Sequence, residues 1–311
     1  MKVLFTGLGS IATKHIKNLH SICRERGIFL EIEVLRRKIG DLADDFESMN
    51  IQQITELSNT HYDCAFITNP TNLHYTILKQ LLGKIDFYFI EKPLFEKIDY
   101  PLELLDINAA NAYIACPLRH TKVYTEFFNL IKDKKIFSSR IICSSYLPDW
   151  RPNIDYRKNY SAIKALGGGV TLDLTHEIDY MIALYGYPNR IINVHRKYSN
   201  LEIDSDDLSV YIAVYDDKLV EVHLDYFGRK PKRYCEAFTA EDVYTADYLA
   251  SKIYFSDHSI IDCTESINDR YIREMKYFLD FTAGKKQNIN PPAKALAVLR
   301  AALGEWKVKN E

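Results

Sequence analysis

Along the first 118 residues, short apolar runs alternate with stretches of helical period. Residues 3–6 form an apolar run that ends in a glycine-rich turn. Residues 10–26 then carry apolar side chains at 11, 12, 16, 19, 22 and 23, which is helical spacing, and Gly27 is placed to stop that helix. Strands are predicted at 29–35, 64–68, 87–90 and 113–116, and helices at 73–82 and 100–110. Strands that alternate with helices imply a parallel sheet covered on both faces.

The pattern changes near Pro117. Residues 119–132 read as helix, 136–147 as strand, 148–165 as a loop rich in Pro, Arg and Tyr, and 170–185 as helix. Period-two runs at 208–215 and 219–226, joined at Asp216-Asp217, predict a hairpin within a β-rich region spanning 190–255. Helices at 266–283 and 292–307 end the chain. The expectation is an α/β N-terminal domain over residues 1–118 and an α+β domain over 119–311 with a large, mostly antiparallel sheet. The C-terminal helix is a candidate to pack back on the first domain.

Composition narrows the function. In 311 residues, 40 Lys+Arg face 42 Asp+Glu, so no basic excess is available for a phosphate backbone and a nucleic-acid partner is not expected. No apolar run reaches the ~18 residues of a spanning helix, and the N-terminus enters a strand pattern at once rather than a signal-peptide pattern. Six scattered cysteines without a C-x-x-C pair give no metal spacing and no disulfide framework. These features predict a reduced, cytoplasmic protein with no membrane partner and no metal. The 22 tyrosines stand out, since amphipathic rings suit both a core and a polar cleft.

The first candidate chemistry lies in the turn after strand one. Gly7, Gly9, Ser10, Ile11 and Ala12 fit G-x-G-x-x-A between a strand and a helix. The first glycine makes the turn, the second lets a pyrophosphate approach, and the third position must be small for helix–strand packing. The free N–H groups of the helix N-terminus attract the anion. This is a Rossmann dinucleotide turn. An acid at the end of strand two would bind the ribose of NAD, but the chain there reads Arg36-Arg37-Lys38, which favours NADP. If the strand ended earlier, Glu33 would be the ribose ligand instead.

Further motifs follow in order: Thr68-Asn69-Pro70 with His74, then Glu91-Lys92-Pro93, then Gly167-Gly168-Gly169 with Asp173, His176 and Asp179. Together with Gly7–Ala12 they resemble the Gfo/Idh/MocA family of glucose–fructose oxidoreductase and inositol dehydrogenase relatives, over the whole chain. The resemblance implies hydride transfer between nicotinamide and a sugar, cyclitol or nucleotide-sugar carbon. It implies Thr68, Asn69, Pro70, His74 and Glu91 around the cofactor, and Lys92 at both cofactor and reacting hydroxyl, with a cis bond before Pro93. It makes His176 the acid–base partner, with Asp173 orienting it or touching substrate. The family spacing is D-x-x-x-H, whereas Asp173 stands one residue nearer to His176 and Leu172 holds the customary position. Asp179 is expected to cap or pair. Arg119, after the last strand of the first domain, is a further substrate contact by the same resemblance.

The 148–165 loop holds Trp150, Arg151, Tyr156, Arg157, Tyr160 and Lys164, with Tyr146 just before it. Aromatic rings stack on sugars, and the cations hold carboxylate or phosphate. The loop resembles members tied to surface-polysaccharide or nonulosonic-acid biosynthesis, which points to an anionic sugar. Two alternatives are a non-catalytic NADP-binding regulator of the same family and an epimerase or oxidoreductase that retains its cofactor. A homodimer or homotetramer is expected, as in relatives.

Overall fold

The computed structural model describes residues 1–42, 46 and 49–306. The elements run β1 (Lys2–Thr6), α1 (Ser10–Glu25), β2 (Glu31–Leu35), β3 (Ile51–Ile54), β4 (Tyr62–Ile67), α2 (His74–Gln80), β5 (Ile85–Ile90) and β6 (Ala112–Ile114). There follow α3 (Lys122–Ile131), β7 (Ile136–Tyr146), α4 (Val170–Asp173), α5 (Thr175–Tyr185), β8 (Arg190–Arg196), β9 (Leu208–Val214) and β10 (Leu219–Asp225). The chain continues with β11 (Phe227–Thr239), β12 (Val243–Asp247), β13 (Lys252–Tyr254), β14 (Ile260–Asp262), α6 (Asp269–Thr282) and α7 (Pro292–Ala302). Two compact units result: residues 1–115 with 271–296, and residues 116–270 with the segment from 297 on.

The first unit holds a parallel sheet of order β3-β2-β1-β4-β5-β6. β1 is buried at every residue after Lys2, as a strand covered on both faces must be. Phe5, Phe66 and Phe89 stack across neighbouring strands at 4.5 and 5.0 Å, and Phe278 of α6 meets Phe66 and Phe89 edge-on. α1 ends as its sequence predicts: Gly27 takes φ +67° and Ile28 N–H donates to Cys23 O at 2.8 Å. The order reverses between β1 and β4, so a crevice opens at their carboxyl ends.

The second unit is built on an eight-stranded sheet of order β14-β13-β12-β11-β7-β10-β9-β8. Only β7 and β10 pair in parallel; the other neighbours are antiparallel. The predicted 208–226 hairpin is present, with Leu219 opposite Val214. β9 alternates buried and half-buried residues, and Tyr211, Ala213, Val220, Val222 and Leu224 face a core shared with Phe127 and Ile178. Among the described residues no helix is long and apolar enough to cross a membrane.

Three elements differ from the sequence prediction. Residues 100–110 form only a 3₁₀ turn at Leu102–Leu104. Asn108 and Asn111 side chains bond to nearby backbone at 2.7–2.9 Å, which competes with helix. The edge strand β3 was not anticipated, because Gln52 and Gln53 break its apolar run. The single helix expected at 170–185 is two, interrupted at Leu174. There the Thr175 hydroxyl donates to Leu172 O at 2.7 Å, taking a carbonyl from the helix ladder.

Candidate active site

The carboxyl ends of β1, β2, β4 and β5 carry the first unit's candidate side chains. Gly7 follows β1 at φ +100°, a conformation that favours glycine, and its N–H donates to Leu35 O at 2.9 Å. Gly9 needs no such conformation, at φ −85°. Among the described residues, no atom beyond its chain neighbours lies within 4 Å of where its Cβ would stand, and no side chain caps α1. Ala12 is fully buried against the sheet. Open space before an uncapped helix N-terminus fits a dinucleotide pyrophosphate. Ser10 is exposed and Ile11 half-buried beside it.

Glu33 is not at the sheet edge. β2 continues to Leu35, and Glu33 is buried, bonded to the Tyr62 hydroxyl at 2.6 Å and to Lys2 Nζ at 2.8 Å. Burial alone would raise its carboxyl; the bonds from Lys2 and Tyr62 outweigh that and hold it below the usual range. The side chain at the end of β2 is Arg36, whose Nη1 donates to Gln53 Oε1 at 2.7 Å; Arg37 is exposed next to it.

Thr68 and Asn69 brace the glycine turn. Thr68 Oγ1 donates to Thr6 O at 3.2 Å, and Thr6 Oγ1 donates to Asn69 Oδ1 at 2.7 Å. Pro70 opens the 3₁₀ turn Thr71–Leu73 that leads into α2. His74 is buried, with Nδ1 3.0 Å from Leu94 O and Nε2 3.0 Å from Asn69 O. Both ring nitrogens are taken by backbone carbonyls, so His74 staples two loops of the crevice. Burial pushes its imidazole below the ordinary value, against the carbonyls, which favour the charged ring.

Glu91 follows β5 and is tied to the sheet through its N–H on Ile67 O at 3.0 Å. Its Oε1 lies 2.6 Å from His15 Nε2, and its Oε2 accepts the Lys92 backbone N–H at 3.3 Å. The Lys92–Pro93 bond is cis. His15 was not singled out in the sequence. The available signal was a polar residue on the buried face of α1, in register with Ala12 and Leu19.

In the second unit, Asp206 accepts the Thr171 N–H at 3.0 Å and the Thr171 hydroxyl at 2.6 Å, which sets the start of α4 beside Gly169, at φ +123°. Asp173 ends α4, buried, and accepts the Tyr226 hydroxyl at 2.5 Å. Burial and the Asp173 charge raise the Tyr226 phenol, so it remains a protonated donor. Because of the break at Leu174, Asp173 and His176 stand on different helices, not on one continuous face as expected. On α5, His176 Nε2 meets Arg233 Nη2 and lies 3.3 Å from Glu177 Oε1. Arg233 Nε donates to Glu177 Oε1 at 2.8 Å. Burial alone would raise Glu177; the Arg233 charge and the His176 bond overcome it and hold the carboxyl near 2. Arg233 and Glu177 were not anticipated.

Asp179 pairs, as expected. Arg119 Nε donates to its Oδ2 at 2.6 Å and Nη2 meets Oδ1. The Arg119 fork, expected at substrate, is buried on that carboxylate.

The 148–165 loop folds as short 3₁₀ turns. Trp150 donates through Nε1 to Ser145 Oγ at 2.9 Å and lies edge-on to Tyr226. Arg157 is engaged with Asp155 at 2.8 Å and Glu202 at 2.7 Å, and the Tyr156 hydroxyl accepts Glu202 N–H at 3.1 Å. Arg151 is exposed, 5.9 Å over the exposed Tyr160 ring, and Lys164 is exposed. Arg229 of β11, also not anticipated, lies 3.7 Å over the Tyr146 ring.

The turn at Gly7–Ala12, the strand order and the parallel sheet meet in a match to the family model described as "Oxidoreductase family, NAD-binding Rossmann fold" over residues 1–115. Over those residues the chain is similar to the Gfo/Idh/MocA Rossmann domain. No curated protein matches the chain by sequence. Solved structures similar to the chain include UDP-N-acetylglucosamine 3-dehydrogenase (GnnA) from Acidithiobacillus ferrooxidans, at 15% identity, TM-score 0.75, and coverage of 98% of this chain and 96% of that one. GenD2 from gentamicin A biosynthesis, in complex with NAD, is similar at 17% identity and TM-score 0.79, covering 98% and 92%. Levoglucosan dehydrogenase with NADH and levoglucosan is similar at 15% identity and TM-score 0.80, covering 98% and 95%. At these identities the likeness is one of fold. It extends the resemblance beyond the Gfo/Idh/MocA domain to the α+β second unit.

Proposed function

We propose that the protein is an NAD(P)-dependent oxidoreductase acting on a hydroxyl or keto carbon of a sugar or nucleotide sugar. One observation carries the reading. The Gfo/Idh/MocA domain sets an open, uncapped glycine turn and Lys92 on the same carboxyl edge of one parallel sheet, after β1 and β5. The solved relatives named for UDP-N-acetylglucosamine and levoglucosan support the sugar class.

When bound, the dinucleotide supplies a hydride acceptor or donor at nicotinamide C4. Gly7, Gly9 and the first turn of α1 hold the pyrophosphate. Arg36 holds a ribose 2′-phosphate, and NADP is therefore favoured over NAD. The Lys92 ammonium donates to the reacting oxygen and lowers the cost of removing its proton. His176 exchanges that proton. Asp173, anchored by Tyr226, orients the substrate. Trp150 and Tyr160 offer faces for sugar rings, and Arg151 and Lys164 are the cations that favour an anionic sugar. Ile192 and Val194, exposed on one face of β8, mark the surface for self-association.

The test is a screen of keto-sugars and nucleotide-linked acidic sugars, read by reduced-nicotinamide absorbance. Turnover lost in Lys92→Ala and His176→Ala supports the reading. Binding of dinucleotide with full biological function in Lys92→Ala would favour a regulator instead.

A further inference from the structure

We propose that His15 is a positioning residue for Lys92, acting through Glu91. The inference rests on the reading that Lys92 serves the reacting oxygen.

The geometry is a relay of three residues within the first unit. His15 lies on α1, the helix that the glycine turn opens, with its ring fully buried. Phe89 covers the ring edge-on at 5.0 Å and Phe66 lies at 6.1 Å, so apolar packing fixes its plane. Tyr271 of α6 closes another side at 6.0 Å and carries Lys14 over its own ring at 4.3 Å. In this apolar setting Nε2 has one partner, Glu91 Oε1, at 2.6 Å. The second carboxylate oxygen takes the Lys92 backbone N–H. One carboxylate thus links the dinucleotide helix to the backbone of the lysine.

The charged and titratable groups facing Glu91 are His15 from α1, Lys92 from its own turn and His74 from α2. Burial alone would raise the Glu91 carboxyl. The bond and charge of His15, with the charge of Lys92, outweigh burial and hold it below the usual range. A carboxylate kept ionised beside Lys92 in turn favours the ammonium form of the lysine. Without His15, Oε1 is a buried acceptor with no donor, and the carboxyl takes up a proton more readily. Lys92 then loses part of the bond that fixes its backbone.

The experiment uses the full chain with ¹³C-labelled glutamate, the Glu91 carboxyl signal assigned by its loss in Glu91→Gln. Three proteins are compared: wild type, His15→Ala and His15→Gln, which restores a neutral N–H donor. In each, the Glu91 titration midpoint is read by NMR. The rate at which an amine-specific reagent labels Lys92 is read by mass spectrometry. The expected result is a midpoint higher in His15→Ala by about one pH unit or more. The Lys92 labelling rate should change about threefold or more as its backbone support loosens, and both readouts should return toward wild type in His15→Gln. Where turnover is measurable, kcat falls about tenfold in His15→Ala with little change in dinucleotide KM. An unchanged Glu91 midpoint, or a raised midpoint with unchanged Lys92 labelling, overturns the proposal. If His15→Ala does not fold, His15→Phe, which fills the site without a donor, takes its place, and the same rise in midpoint and change in labelling are required. Neither readout needs turnover, so an inactive wild-type protein that shows both shifts defeats the functional reading and leaves the coupling of His15 to Lys92 standing.

Discussion

The Arg233 guanidinium donates through Nε to the buried Glu177 carboxylate at 2.8 Å and turns Nη2 onto His176. The contact at Nε2 holds the ring by one nitrogen. The arrangement makes β11 the support of the histidine on α5.

Removing one partner of this pair should be costly. Glu177→Gln leaves a buried guanidinium without its counter-charge, and a loss of about 3–5 kcal/mol is expected from denaturant unfolding near neutral pH. The pH dependence has a definite sign. Glu177 sits near 2 in the folded protein against an ordinary value of 4.5. Its contribution is therefore complete above the ordinary value and is lost as pH falls from there toward 2. The stability gap between wild type and Glu177→Gln should close over that window. A gap independent of pH would show that the pair does not depend on the Glu177 charge.

Arg119 is expected to act in folding more than in substrate binding, because its fork lies on Asp179. Lysine cannot reproduce two parallel donors. Arg119→Lys should lower stability by about 1–3 kcal/mol and leave substrate KM near wild type. A large rise in KM at unchanged stability would return Arg119 to the substrate.

Gly9 separates binding from folding. Its backbone is in an ordinary region and open space surrounds the missing Cβ. Gly9→Val should therefore unfold within about 1 kcal/mol of wild type while losing dinucleotide affinity, read by nicotinamide fluorescence. A variant that binds as tightly as wild type would displace the pyrophosphate from this turn.

Arg36 carries the preference between dinucleotides. Arg36→Ala should raise the Kd for NADPH by about tenfold or more, the worth of a charge-assisted phosphate contact, with little effect on NADH. Equal effects on both would remove the 2′-phosphate from Arg36.

The parallel sheet, the second unit's hairpin and the glycine turn were legible because each has a local signal: a period, a turn residue or a fixed spacing. The helix expected at 100–110 failed because Asn108 and Asn111 satisfy backbone groups that a helix would need. The break at Leu174 was hidden because residues 170–185 contain no glycine or proline to mark it. The site showed the same division. Glu91 and His176 are named by motif, but their partners His15 and Arg233 come from distant segments, and only the tertiary fold pairs them. Arg157 looked like a free cation and is engaged by Asp155 and Glu202. Part of the tyrosine excess is core: Tyr62, Tyr88, Tyr113, Tyr180, Tyr211 and Tyr226 are fully buried. Several bond through their hydroxyls, as Tyr211 does to Ala302 O at 2.8 Å.

The most direct measurement is an equilibrium titration of the wild-type protein with NADPH and with NADH, followed by nicotinamide fluorescence, with Gly9→Val as control. The account predicts saturable binding of dinucleotide, tighter for NADPH, and its loss in the control. Binding of neither dinucleotide by the wild-type protein would contradict it.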